Sequence, residues 1–230
     1  DTQGNIGWRT RGQIPIRHDS NAWLPVPGWS GENEWAGAIP FDSMPRMDNP
    51  DGGCIVTANN RVVGEEYPYY IALDYAPGFR ADRITQRLSS LQKATVEDMA
   101  SIHADKISIP AQAFVEAIKG IKPLDEASMD AMERLVCWDG AIEKNRVEPT
   151  IYNTFRDKLI SLVMEPILGS LAQDAFKGQG RGGPAHMGQL RSRFHSMVQN
   201  NDKSLLPIGA NWQTFMATAL SGAVAKLRKD

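Results

Sequence analysis

The chain has 230 residues, of which 42% are hydrophobic and 23% are charged, and its formal net charge is −2. This composition is typical of a globular protein with a core, and it excludes a strongly basic nucleic-acid-binding chain. No apolar run in the sequence approaches the roughly 18 residues that a membrane-spanning helix needs. We therefore expect no nucleic-acid partner and no membrane partner.

Both ends of the sequence predict that the chain is a segment of a longer protein. It begins at Asp1 without an initiator methionine or a signal segment, and it stops at Asp230 directly after a helical pattern. Such a segment is expected to function only together with the remaining parts of its parent.

The first 80 residues are predicted to be rich in strands and turns. Turn signals, such as Pro-Gly at 27–28 and Asn-Pro-Asp-Gly-Gly at 49–53, separate short apolar stretches. Residues 6–9 and residues 54–58 are predicted strands, the second because of its β-branched Ile-Val-Thr centre.

From residue 81 onward the hydrophobic period becomes helical, and a first helix is predicted at 81–91. Thr95 followed by Asp98 has the spacing of a capping box and predicts the start of a second helix. Pro166 is predicted to end or kink a later helix. Apolar stripes with helical spacing occupy 114–121, 129–136, 152–163 and 212–227.

These patterns predict an α+β protein with two regions. Residues 1–80 form the strand-rich region and residues 81–230 the mainly helical region. Within the second region the glycine-rich stretch 177–184 is predicted to be a loop or an insertion. A phosphate-binding loop is not predicted there, because no strand precedes the stretch and no Gly-Lys-Ser/Thr follows it.

No metal site is predicted from the sequence. The four histidines include no pair with His-x-x-x-His spacing, so surface or capping roles are expected for them. Cys54 and Cys137 are expected to be free, small buried residues rather than a disulfide. Four aspartates are calcium ligands only in principle, and turn formation is the preferred interpretation. They are Asp42, Asp48, Asp51 and Asp74.

The strongest chemical constellation is the pair Asn59-Asn60 at the end of the predicted strand 54–58. An amide N–H held rigidly at a strand end can stabilise a developing oxyanion, a contribution of roughly 3 kcal/mol. Alternatively the pair forms a turn, because asparagine tolerates left-handed backbone conformations. The spacing alone favours the turn, and the chain has no Gly-x-Ser-x-Gly nucleophile that the amide could serve.

A second constellation is the pair Arg80 and Arg83 near a predicted helix start. Two arginines at this spacing can clamp a carboxylate or lock a loop through bidentate hydrogen bonds. The alternative is an ordinary ion pair between Asp82 and a neighbour, and the pattern alone favours that alternative.

A series of short segments resembles a known family. In chain order they are Gly-Asn-Ile-Gly-Trp at 4–8, Leu-Pro-Val-Pro-Gly-Trp at 24–29, Glu-Trp-Ala-Gly at 34–37, Ile-Pro-Phe-Asp at 39–42, Met-Pro-Arg at 44–46, Asn-Pro at 49–50, Ile-Val-Thr-Ala-Asn-Asn-Arg at 55–61, Tyr-Pro at 67–68, Arg-Ala-Asp-Arg-Ile at 80–84 and Leu-Val-Cys-Trp-Asp-Gly at 135–140. The series is similar to the penicillin acylase family of N-terminal-nucleophile hydrolases. The likeness is dense to about residue 90, moderate to about 165 and loose beyond.

The resemblance implies a fold and a mechanism. Residues 1–80 would be the strand-rich part of an αββα sandwich, followed by the helical subdomain. In the family, a precursor cuts itself to expose a serine at the amino terminus of the larger subunit, and its α-amine activates the hydroxyl. That serine would lie upstream of Asp1. By resemblance Asn59 is the oxyanion donor and Arg83 an active-site support residue, whereas Arg80 has no secure counterpart.

The resemblance also implies partners and a location. The partners would be the smaller subunit, the rest of the larger subunit, and a small-molecule acyl amide such as a penicillin, a cephalosporin or an acyl-homoserine lactone. The location would be periplasmic or secreted. Some family members bind calcium, so calcium is possible in the parent, but no cofactor is predicted here because only Asp74 is acidic in the corresponding stretch. The alternative to an enzyme is a non-catalytic binding or structural module that reuses the same sheet.

Overall fold

A computed structural model describes residues 1–17, 25–177 and 185–229 of the chain. These residues divide into two compact units, Asp1–His103 and Ala104–Asp230. The glycines of the predicted loop at 177–184 lie outside the described residues.

The unit Asp1–His103 holds a short antiparallel ladder between β1 (Gly7–Arg9) and β2 (Arg46–Asp48). Trp8 pairs with Met47 in the centre of this ladder, which confirms the predicted strand at 6–9. Few of the described side chains of this unit are buried. Within residues 1–17 and 25–103 the buried apolar residues are Ile39, Met44, Ala58 and Ala81.

The predicted strand at 54–58 is wrong. Residues 54–57 have no regular secondary structure and Ala58 begins a bend, so the described part of this unit contains only the two-stranded sheet and is not strand-rich. The β-branched centre at 55–57 fits a pleated surface, but a strand also needs a neighbouring backbone to pair with. No described residue forms a ladder with this segment.

Two helices end the first unit. The helix predicted at 81–91 is found as α1 (Phe79–Ser89), two residues earlier, and α2 (Val96–His103) follows it. The capping box before α2 is confirmed in both directions. Thr95 Oγ1 accepts from the Asp98 backbone N at 3.1 Å, and Asp98 Oδ2 accepts from the Thr95 backbone N at 2.9 Å.

The unit Ala104–Asp230 is helical, as the apolar stripes predicted. Its helices are α3 (Ile109–Ile118), α4 (Glu126–Val136), α5 (Glu148–Leu168), α6 (Ala172–Lys177), α7 (Ala185–Gln199) and α8 (Trp212–Leu227). Helix α5 packs along α8, and α3 packs against α7. Capping fixes where α8 begins, because Asn211 Oδ1 accepts from the Thr214 backbone N at 2.8 Å.

Aromatic side chains fill the centre of this helical unit. The Phe114 and Phe155 rings meet edge to face with centroids 6.1 Å apart. The Phe194 and Trp212 rings do the same at 5.9 Å. All four side chains are almost fully buried. Edge-to-face pairs add about 0.5–1.5 kcal/mol beyond the burial of apolar area.

Helix α5 ends at Leu168, two residues after Pro166, which was predicted to end or kink it. One property of this helix was not expected from the sequence. The helical stretch Glu148–Phe176 is long and apolar enough to cross a membrane by length and composition alone, although polar residues interrupt it. A core helix meets the same criterion, and six residues of α5 are buried among the helices of this unit.

Candidate active site

Asn59 lies in a tight bend between the irregular segment 54–57 and the loop that leads to α1. Its φ of 61° is left-handed, a conformation that asparagine adopts more readily than most residues. Two hydrogen bonds fix the bend. The Ala58 backbone N donates to Asn60 Oδ1 at 2.9 Å, and the Ala76 backbone N donates to the Asn59 carbonyl at 2.8 Å. The turn predicted for the Asn pair is therefore present.

The side chain of Asn59 is exposed, and Arg80 holds it. Arg80 Nη2 donates to Asn59 Oδ1 at 2.8 Å and also to the Ala58 carbonyl at 2.8 Å. A guanidinium has only donors, so the amide atom that faces it must be the oxygen. The Asn59 Nδ2 group therefore points elsewhere, and among the described residues it donates to none. The bend thus presents an amide N–H donor in addition to turning the chain.

Arg83 lies one turn further along α1 and is half-buried. Its Nη1 donates to Gln86 Oε1 on the same helix. Among the described residues, Arg80 is the partner of the Asn59 side chain and Arg83 is not. The sequence pattern favoured an ion pair between Asp82 and a neighbour at this helix start. Among the described residues Asp82 has no cationic partner, so that ion pair is not formed.

The position of Arg80 in α1 explains why it reaches Asn59. Helical side chains tilt toward the amino terminus of their helix. Arg80 is the second residue of α1, so its guanidinium extends beyond the helix end toward the bend at Ala58. Sequence reasoning identified the arginine pair but assigned the support role to Arg83 alone. The place of Arg80 in the first turn of α1 was the signal that it contacts the bend.

Two clefts lie in the same unit, and neither is lined by Asn59 or Arg80. One, of about 400 Å³, is bounded by residues 44–46, 62–64 and 66–68. Tyr67 on its wall donates its hydroxyl to the Ser43 carbonyl at 2.8 Å. Burial, with a smaller contribution from Tyr69, raises the pKa of Tyr67, so this hydroxyl stays protonated. The other cleft, of about 480 Å³, includes Cys54.

The cysteines and histidines form no reactive cluster in the described residues. Both cysteines are free, as expected, but Cys54 is only half-buried and Cys137 is exposed. No group of three His, Cys, Asp or Glu side chains within the described ranges is placed to hold a metal ion. The surface role expected for the histidines is wrong for His195, which is 5% exposed and packs against the Phe114 ring.

The fold and the sequence place the chain in one family. Its fold matches that of a thermostable penicillin G acylase from Alcaligenes faecalis with a TM-score of 0.72, covering 100% of this chain and 46% of that one at 22% identity. A family model described as penicillin amidase matches residues 1–230. The chain belongs to the penicillin amidase family.

Two curated relatives show how far the likeness extends. The penicillin acylase 2 proenzyme of Pseudomonas sp. (strain SE83) is 37% identical over 233 residues, which cover 99% of this chain and 29% of that protein. The acyl-homoserine lactone acylase QuiP of Pseudomonas fluorescens (strain Pf-5) is 27% identical over 186 residues, which cover 75% of this chain and 23% of that protein. The chain therefore spans less than a third of the length of these relatives.

Proposed function

We propose that this chain is part of an amidohydrolase that cleaves a linear amide by acyl transfer through an amino-terminal serine outside the chain. Asn59 supplies the side-chain donor to the oxyanion, and Arg83 supports the wall of the site. The observation that carries the proposal is the exposed Asn59 amide. Its oxygen is taken by Arg80 and its N–H donor has no described partner. Membership of the penicillin amidase family supports the reaction class.

In the proposed reaction the serine hydroxyl attacks the amide carbonyl while the serine α-amine accepts its proton. The carbonyl oxygen then carries a negative charge, and Asn59 Nδ2 donates a hydrogen bond to it. The intermediate collapses to an acyl-serine ester and releases the protonated amine, and water hydrolyses the ester. A donor fixed before the reaction stabilises the new charge without having to reorganise.

The proposed substrates carry an apolar or aromatic acyl group on a β-lactam nucleus or on a homoserine lactone. One relative is named a penicillin acylase and another an acyl-homoserine lactone acylase, which supports both substrate classes. Hydrolysis of arylacetyl, glutaryl and long-chain acyl amides by the complete protein distinguishes them. We also propose a self-cleaving precursor, two subunits and a periplasmic or secreted location, and the word proenzyme in one relative's name supports the first of these.

The test of the oxyanion role needs substitutions that tolerate the left-handed backbone of Asn59. Glycine removes the amide without strain, and aspartate keeps its size but loses the N–H donor. Asn59→Gly and Asn59→Asp in the complete protein are each expected to lower kcat by roughly 10² to 10³, the effect of removing one oxyanion donor.

A matched control exists in the helical unit. Asn201 is also left-handed, with a φ of 51°, and is exposed. Asn201→Gly is expected to leave kcat unchanged. Full activity in both Asn59 variants would contradict the oxyanion role of Asn59. Absence of amide hydrolysis by the unmodified complete protein would favour a non-catalytic binding or structural module.

A further inference from the structure

Arg80 makes two hydrogen bonds to the bend that carries Asn59, both through Nη2. One goes to the Asn59 side-chain oxygen and the other to the Ala58 carbonyl, each at 2.8 Å. We propose that Arg80 is a positioning residue for the oxyanion donor, holding Asn59 Oδ1 so that Nδ2 faces the reacting carbonyl oxygen. This inference rests on the function proposed above for Asn59.

The amide of an exposed asparagine can present either of its ends. If it turned over, Oδ1 would face the developing negative oxygen, and the contact would become repulsive. A guanidinium cannot accept a hydrogen bond, so its place beside Asn59 permits only one of the two orientations. Arg80 therefore sets which end of the amide is presented as well as where it lies.

The second bond keeps the guanidinium itself in place. Nη2 carries two hydrogens, and the two acceptors belong to adjacent residues of one bend, Ala58 and Asn59. The bend is tied in turn to the loop before α1 by the bond from the Ala76 backbone N. The Arg80 guanidinium is thus bound to the backbone of Ala58 and to the side chain of the next residue, Asn59. These two bonds fix the position of the guanidinium relative to the amide.

The positive charge of Arg80 adds an electrostatic effect. Hydrogen bonds to charged groups are stronger than neutral ones, and a cation on the amide oxygen polarises the amide so that its N–H becomes a better donor. The same charge favours the oxyanion over the neutral carbonyl. Arg80 is therefore expected to affect the transition state more than substrate binding, so its loss should appear in kcat rather than in KM.

The experiment is a double-mutant cycle in the complete protein. Arg80→Met keeps an unbranched apolar stem and removes the donors, and Arg80→Lys keeps a cation and donors. Arg80→Met is expected to lower kcat roughly tenfold or more with little change in KM, and Arg80→Lys to recover part of the loss. In the Asn59→Gly background, Arg80→Met is expected to cost nothing further, because the amide it positions is absent.

A control separates positioning from a general effect of losing an arginine. Arg61 donates to the Gly64 carbonyl in the same unit, so Arg61→Met removes an arginine–backbone bond without touching Asn59. It is expected to keep the kcat of the unmodified protein. Circular dichroism of every variant confirms that the fold is retained.

Each contrary result has a distinct meaning. Unchanged kcat in Arg80→Met, a rise in KM alone, or an equal loss with and without Asn59 would overturn the positioning role while leaving the Asn59 donor in place. Full activity in the Asn59 variants themselves would overturn both the oxyanion role proposed for Asn59 and this inference.

Discussion

The two units of the chain hold their geometry by different means. In Ala104–Asp230, aromatic and aliphatic side chains from several helices form one buried cluster. In the part of Asp1–His103 that the structure describes, few side chains are buried, and Trp29 and Trp35 are 89% and 67% exposed. The candidate site lies in Asp1–His103, where polar contacts hold the bend in place. Arg80 makes two of them, to the Asn59 side chain and to the Ala58 carbonyl. The Asn59 amide is thus oriented by hydrogen bonds, while the flanking Ala58 and Ala81 are buried.

The largest expected effect comes from truncating a buried ring in the helical unit. Phe155 is fully buried and touches Phe114, so Phe155→Ala leaves a cavity and is expected to lower the free energy of unfolding by about 3–5 kcal/mol. Phe41 in the other unit is 69% exposed, with the Arg9 guanidinium 4.1 Å from its ring centroid. Phe41→Ala is expected to cost about 1 kcal/mol or less.

Denaturant unfolding followed by circular dichroism compares the two phenylalanine variants. The unmodified chain serves as the reference for both. Equal losses of unfolding free energy would mean that the two units do not differ in how their side chains stabilise them.

The helical unit was predictable from sequence because its signals are local. The stripe at 152–163 appears as α5 and the stripe at 212–227 as α8, since a period of 3.6 residues can be read without knowing what the helix packs against. The segment 54–58 failed because a strand depends on a partner backbone elsewhere in the protein. The β-branched residues Ile55, Val56 and Thr57 fit the pleated surface of a sheet, but they do not provide the partner strand.

The candidate site was predictable only in part, for a related reason. Asn59 was selected by family resemblance, since spacing alone favoured a turn. Its orientation depends on Arg80, which is 21 residues away and reaches it only because the backbone turns at both places. No periodic pattern encodes such a contact. The left-handed φ of Asn59 was foreseen as a property of asparagine, but its hydrogen bond with Arg80 was not.

A smaller effect is expected from the helix caps, and it differs between the units. Asn211 caps α8, which contributes seven buried residues to the core, so Asn211→Ala is expected to lower the free energy of unfolding by about 1 kcal/mol. Asn211→Ser keeps a capping oxygen and is the matched control. Thr95 caps α2, which buries none of its residues, so Thr95→Ala is expected to loosen α2 locally.

Amide hydrogen exchange resolves the two capping effects by segment. In Thr95→Ala we expect faster exchange only at 96–103. In Asn211→Ala we expect faster exchange across the helical unit. A unit-wide change caused by Thr95→Ala would contradict the difference between the units.

The smallest expected effect is a pH dependence that belongs to the helical unit. His195 packs beside Phe114, and burial lowers its pKa, although a hydrogen bond to the Pro110 carbonyl opposes the shift. In the pH range just below about 6.5, the unfolded chain binds a proton here that the folded chain does not. Stability is therefore expected to fall as pH drops through this range, until the folded pKa is reached.

A non-titrating donor at position 195 isolates this contribution. His195→Gln retains an N–H for the Pro110 carbonyl and is expected to flatten the pH dependence of unfolding below about 6.5. If His195→Gln kept the original slope, the buried imidazole would not be its source.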